Sequence, residues 1–381
     1  MMKIDSKLPD VGVSIFARMT QMANEQGAIN LSQGFPDFET PPALVELVAQ
    51  KMRAGHNQYA PLAGVERLRE QIALKVKRQY GGVYDPATEI TVTPGATEAI
   101  FCAVASVVRP GDEVVIIEPA YDAYAPDVRL AGGRPVFVPM PPPGYRIDWQ
   151  RVKEAMSSRT RLLMINSPHN PMGTMLDTDD ISALSEIVAG SNTLILSDEV
   201  YEHIIFDGRR HQSMACYPRL AARSFVISSF GKSFHTTGWK IGYCLAPPAL
   251  TSELRRVHQF VTFCANTAVQ EAYADFMADL GWFDKLAVFY QQKRDLFASL
   301  ITESRFSLLP CQGTYYQMLS YAGISDAAEI DFAREMAIKH KVAAIPPSAF
   351  YHGGADHHLL RFCFAKSDDT LRAAAERLCR I

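Results

Sequence analysis

Ile90-Thr91-Val92, closed by Thr93-Pro94-Gly95 and followed by Ile100, Phe101, Val104, Val107 and Val108, is the stretch from which the fold can be read. Three β-prone residues, a turn and then apolar positions at helical spacing predict a strand leading into a helix. The same alternation continues outward, with β-rich runs at Glu113–Ile117, Arg161–Ile165, Thr193–Leu196 and Ser224–Ser228. Between the runs at Arg161–Ile165 and Thr193–Leu196, Ile181, Leu184, Ile187 and Val188 trace the buried stripe of a helix, with Thr178 placed to cap its start and Gly190 its end. Strands alternating with helices from Glu89 to Leu245 predict an α/β protein built on a mainly parallel sheet.

Beyond that core, residues 266–303 read as helix with few breakers, and mixed strands and helices occupy the rest of the chain up to the amphipathic segment Leu371, Ala375, Leu378. The expected organisation is a large α/β domain over 42–280 and a smaller, discontinuous α+β domain made of 1–41 and 281–381. The Pro139–Gly144 stretch reads as a loop, because strand and helix signals resume on both sides.

Composition excludes several classes of function. In 381 residues, 38 Lys and Arg face 41 Asp and Glu, a net charge of −3 that gives no basic surface for nucleic acid. Apolar runs such as Val114–Ile117 fall far short of the ~18 residues of a membrane span. Met1 to Phe16 carries Lys3, Asp5, Lys7 and Asp10 and lacks a signal-like apolar stretch, so a cytoplasmic protein is expected. The seven scattered cysteines show no C-x-x-C spacing, and neither a metal site nor a disulfide framework is expected.

Ligands of open parallel sheets bind beyond the carboxyl ends of the strands, so the residues just past each run are informative. After Val92 comes Gly95-Ala96-Thr97 at a helix start, a ready anion site. After Ile117 comes Tyr121; after Ile165, the turn holding Asn170; after Leu196, Asp198 and Tyr201; after Ser228, Ser229 and Lys232. Each residue alone has an ordinary structural reading, and Ser229-x-x-Lys232 also matches a serine β-lactamase pattern whose companion motifs are absent. Together they describe one ligand: flat for Tyr121, anionic at one end, cationic at a ring nitrogen for Asp198, with an acceptor oxygen for Asn170 and Tyr201 and an electrophilic carbon for Lys232. Pyridoxal phosphate carries those groups.

The stretch from Ser229 to Tyr243 (Ser-Phe-Gly-Lys-Ser-Phe-His-Thr-Thr-Gly-Trp-Lys-Ile-Gly-Tyr) resembles the cofactor-lysine signature of class I/II aminotransferases, fold type I pyridoxal-phosphate enzymes. Asn30–Phe38, Asn57-Gln58-Tyr59, Pro168–Pro171, Ser197–Glu202, Ile345-Pro346 and Arg361–Phe364 are similar to its other motifs, in order along the whole chain. The methionine and kynurenine/glutamine branches look nearest. The resemblance implies that Lys232 bonds the cofactor and then acts as base, Asp198 holds the pyridine nitrogen protonated, Asn170 and Tyr201 bind the phenolic oxygen, and Tyr121 stacks on the ring. It implies a phosphate site of Ala96, Thr97, Ser229 and Lys240, completed by Tyr59 from the other subunit of a homodimer. It further implies that Arg361 and Asn170 clamp the substrate carboxylate near Gly34.

A guanidinium in the middle of an apolar strand supports that clamp independently, since such a charge is rare unless paired. Lys240 is a departure, because most of the class has arginine there, and lysine offers a phosphate a point charge in place of a fork. No second arginine is evident for an acidic side chain. Ile15, Phe16, Tyr59 and the partner's Phe263 would surround the substrate side chain, favouring methionine or aromatic donors. The expected activity is amino transfer to a 2-oxo acid, with cysteine-conjugate β-elimination as the alternative.

Overall fold

The computed structural model describes residues 5–381; Met1–Ile4, the first residues of the N-terminal segment, lie outside the described residues. Among the described residues twelve strands are formed: β1 Ile29–Asn30, β2 Ile90–Thr93, β3 Glu113–Glu118, β4 Arg134–Pro139, β5 Thr160–Asn166, β6 Leu194–Asp198, β7 Ser224–Ser229, β8 Gly242–Leu245, β9 Ser307–Leu308, β10 Tyr316–Ser320, β11 Val342–Ala343 and β12 Leu359–Cys363. Seven of them make one sheet in the order β2-β8-β7-β6-β5-β3-β4. The pairings from β4 through β7 are parallel, whereas β8 runs antiparallel to both β7 and β2. All strands but β8 therefore end at one edge, and β8 begins there.

The period of two explains how this sheet is buried. Val115, Ile117, Leu163, Ile165, Ile195 and Val226 enter one core layer. Their neighbours Val114, Ile116, Leu162, Met164, Leu196, Phe225 and Ile227 enter the layer on the opposite face, with helix Ala96–Val107. Both faces are thus apolar, as a helix-covered sheet requires.

The five strands expected from sequence are all present within one or two residues of their predicted ends. Two local expectations change. Helix Thr178–Val188 is capped by Asp177, not Thr178: the Asp177 carboxylate accepts the Asp179 and Asp180 N–H groups, and Asp180 accepts the Asp177 N–H in return. That capping box satisfies two orphan donors where a threonine hydroxyl would satisfy one. The helical stretch after Asn266 is two helices, Thr267–Phe276 and Gly281–Leu300, because the Asp279 side chain takes the Gly281 N–H and turns the chain between them.

Elements near the two ends of the chain pack on each other. β1 pairs with β11, and β10 lies between β9 and β12. A separate core cluster joins Ile15, Met19 and Leu31 to Phe297, Leu319, Leu360, Phe362 and Leu371. The Cys363 N–H donates to Leu31 C=O at 2.7 Å, which carries the segment after β1 alongside β12.

Candidate active site

At the shared strand edge lies a cavity of about 290 Å3, lined among others by Phe16, Gly34, Thr97, Tyr121, Lys232 and Tyr316. Several of its walls continue strands of the large sheet. β7 runs straight into the one-turn helix Phe230–Ser233, which lifts Lys232 off the end of the sheet. Among the described residues the Lys232 Nζ donates to the Tyr315 hydroxyl at 2.8 Å and forms no salt bridge. Burial pushes this amine down to about 8, with the positive charges of Lys240 and Arg361 acting in the same direction.

Asp198 ends β6, buried on the cavity wall. Burial raises its carboxyl to about 6 against the opposing hydrogen bonds from Tyr124 Oη at 2.6 Å and the Val200 N–H at 3.2 Å. At neutral pH it is mostly ionised, a fixed negative charge at the back of the cavity. Asn170 stands after β5, its N–H held by the Asn166 side chain at 2.7 Å, while Asn166 Nδ2 donates to the Asp198 carbonyl at 2.8 Å. Tyr201 completes this wall, its hydroxyl 3.3 Å from that of Tyr316.

Opposite, Gly95, Ala96, Thr97, Ser229 and Lys240 form a cradle. Helix Ala96–Val107 begins without a side-chain cap, which leaves its first N–H groups for a ligand. Gly95 has φ +81°, and a Cβ there would crowd the Lys240 side chain at 3.2 Å, so a glycine is needed for the lysine to reach the helix start. Lys240 itself sits at φ +54°, in the left-handed region. Ser229 and Gly242, the two feet of the loop holding Lys232 and Lys240, are paired across β7 and β8. Tyr121 lines the same cavity as the cradle and Asp198.

Arg361, on β12, is fully buried just behind the cavity wall. It donates to Asn170 Oδ1 at 2.6 Å and to the Ser32 carbonyl at 2.9 Å, while its Nε has no partner. The rings of Tyr316 and Phe16, both on the cavity wall, lie 3.9 and 5.3 Å from the guanidinium. A carboxylate entering the cavity would meet a charge already oriented by Asn170 and Ser32. Gly34 lies beneath: any Cβ on it would overlap the Tyr316 hydroxyl.

Of the expected site residues, Gly34, Phe16, Ala96, Thr97, Tyr121, Asn170, Asp198, Tyr201, Ser229, Lys232 and Lys240 line this one cavity, with Arg361 behind it. Tyr59 and Phe263 do not. They meet each other edge to face at 5.6 Å elsewhere, 84% and 41% exposed. Ile15 is a correction, since its side chain is buried in the core cluster around Met19 and is not on the cavity wall. Sequence reading missed Tyr124, Asn166, Tyr315 and Tyr316, which act on the expected residues from other elements. It also missed a buried group in which the Glu98 carboxylate meets the Cys102 thiol at 2.9 Å and His258 Nδ1 at 2.8 Å. Glu98 lies in the first turn of its helix, where the dipole opposes a cation, and it bonds both of the others.

The donors fit a flat ligand with an anionic tail: an uncapped helix start beside a lysine for the tail, a carboxylate for a ring cation, and a free amine between them. The family model described as aminotransferase class I and II matches residues 26–378. The chain is 46% identical over 374 residues to the methionine aminotransferase of Escherichia coli, covering 98% of this chain and 97% of that one. It is 39% identical over 385 residues to a probable N-succinyldiaminopimelate aminotransferase of Mycobacterium tuberculosis, covering 98% and 97%. A solved Escherichia coli structure whose reactivity identifies a methionine aminotransferase function superposes with a TM-score of 0.98 at 45% identity, over 100% of both chains.

Proposed function

The chain belongs to the class I and II aminotransferases, and from that premise we propose that it transfers the amino group of methionine, or of another hydrophobic or aromatic L-amino acid, to a 2-oxo acid. The observation that carries this reading is one cavity with a salt-bridge-free lysine amine and a buried carboxylate on its wall and a buried arginine bonded to Asn170 behind it, with no further cation than Lys240 on the wall among the described residues. A neutral donor side chain suits it better than an acidic one.

The family depends in general on pyridoxal phosphate, whose ring, when bound, draws electrons away from the substrate's α-carbon. Here the helix start at Ala96-Thr97, Ser229 and Lys240 would hold its phosphate, Tyr121 its ring face, Asp198 its ring nitrogen, and Asn170 and Tyr201 its phenolic oxygen. The protein's own part is positioning and proton transfer. Arg361 and Asn170 fix the donor carboxylate in two hydrogen bonds, which orients the α-carbon toward Lys232. With its amine near neutrality, Lys232 takes up the α-proton and delivers it again as a general base and acid.

A homodimer with shared sites is a further proposal. It is supported by Tyr59 and Phe263, which stand exposed together and outside the chain's own cavity, free to complete a partner's site. Division into 42–280 and the paired segments 1–41 and 281–381 is likewise proposed, on the separate core cluster that joins the two ends. No described helix is long and apolar enough to cross a membrane; the seven unbridged cysteines support a cytoplasmic setting. β-Elimination gains no support from these relatives, each of which is named for amino transfer.

The test is a panel of amino donors ranked by kcat/KM with the cofactor-loaded protein and a 2-oxo acid. Methionine and aromatic donors should lead, and aspartate should trail. Preference for an acidic donor, or pyruvate and ammonia released from a cysteine conjugate without an acceptor, refutes the reading.

A further inference from the structure

We propose that Tyr315 is a positioning residue for Lys232, holding the lysine amine by a one-way hydrogen bond that ties it to the Gly34 backbone; this deepens, and rests on, the aminotransferase reading. The Tyr315 hydroxyl has a single proton, and that proton is committed: Oη donates to the Gly34 carbonyl at 2.6 Å. Toward Lys232 it can only accept, and Nζ donates to it at 2.8 Å. An amine whose N–H is fixed in this way keeps its lone pair directed elsewhere, which is the orientation a base requires.

The hydroxyl is well placed to keep that direction. Tyr315 is fully buried, and its ring packs between Tyr201, Tyr290 and Tyr316 at centroid distances of 5.2, 5.8 and 4.9 Å. Burial raises its own ionisation well above the ordinary tyrosine range, so the proton stays on the oxygen. The other end of the link is equally fixed, since Ser32, two residues before Gly34, accepts from Arg361. One short segment thus anchors both the amine that would move the proton and the guanidinium that would hold the carboxylate. Their relative position is set by two hydrogen bonds to backbone carbonyls.

Tyr315→Phe removes the hydroxyl and keeps the ring. In the cofactor-loaded enzyme, kcat for methionine should fall about ten- to hundredfold with KM within about twofold, and the isotope effect on kcat from deuterium at the donor's α-carbon should grow. A second readout needs no turnover. In cofactor-free full-length protein, modification of Lys232 by an amine-directed acylating reagent, followed by peptide mapping, should titrate about one pH unit lower in Tyr315→Phe, because an acceptor that favours the ammonium is gone. Tyr316→Phe removes the adjacent hydroxyl, which bonds Tyr201, and should leave the Lys232 titration in place. The proposal is overturned if Tyr315→Phe leaves kcat, isotope effect and titration unchanged, or if Tyr316→Phe moves the titration equally. Should Tyr315→Phe not fold, 3-fluorotyrosine at position 315, a weaker acceptor of the same shape, must move the titration the same way, and no movement refutes the link. A wild-type protein without transaminase activity would refute the functional reading while leaving the Lys232 titrations to decide this one.

Discussion

Lys75 and Lys232 both hold an amine out of water, and they are treated in opposite ways. Lys75 is 1% exposed and paired: it donates to Glu202 at 2.6 Å and Tyr243 at 2.7 Å, while Glu202 also accepts from Tyr80 at 2.5 Å and from Ser228. Burial alone would raise the Glu202 carboxyl, but the Lys75 charge and these hydrogen bonds outweigh it and hold the group below the usual range. Lys232 has one hydroxyl and no salt bridge among the described residues, and burial, opposed only in part by the charge of Asp198, lowers it to about 8. The first amine is spent on structure, and the second is kept available for chemistry. Burial lowers both amines, and what separates them is a carboxylate at salt-bridge distance, present for Lys75 and absent for Lys232.

The largest effect should come from breaking the working member. Lys232→Ala is expected to lower transamination roughly a hundred- to ten-thousandfold, the range of a lost general base, without loss of folding stability. A wild-type rate in this variant would sink the assignment. Lys75→Met should do the reverse, costing about 3–5 kcal/mol in chemical denaturation because Glu202 is left charged and unpaired. Combining it with Glu202→Leu should recover most of that loss, and a double variant as unstable as the single would show that the pair is not the source.

The pH dependence separates the pair further. Glu202, depressed in the folded state, contributes stability that is present above its unfolded value of about 4.3 and lost as pH falls below it. Lys232, lowered to about 8 when folded against about 10.4 unfolded, makes stability rise between those values, because there the unfolded chain binds the extra proton. Lys232→Met should remove its share of that alkaline rise, the lowered Lys75 amine supplying another, while the Lys75 and Glu202 double variant should blunt the acid loss as well. Denaturation midpoints across pH would read both limbs. Smallest, Tyr80→Phe should cost about 1 kcal/mol through one lost hydrogen bond to Glu202 and leave the rate unchanged.

The sequence made one of these lysines legible and hid the other. Lys232 stands at the end of a recognisable strand in a motif, and the five strand ends converge because a parallel sheet must place them on one edge. Lys75 sits in a helix of otherwise ordinary pattern, and its partner is 127 positions away. Tyr315 and Tyr124 escaped for the same reason: their meaning lies in contacts to Lys232 and Asp198 from distant elements, and each alone reads as a core aromatic. The capping residue at Asp177 and the break before Gly281 were missed because side-chain carboxylates compete for backbone N–H groups in ways that apolar periodicity does not register.

The antiparallel strand β8 has a geometric consequence. Because it returns along β7, and Ser229 faces Gly242 across the pair, residues 230–241 form a loop closed at its feet, where the Phe230 N–H donates to the Ile241 carbonyl at 3.1 Å. Lys232 and Lys240 both ride on that loop. The spacing between amine and cradle cation is therefore a matter of circumference. An insertion there would push both lysines off their marks together, while the sheet below it stayed in register.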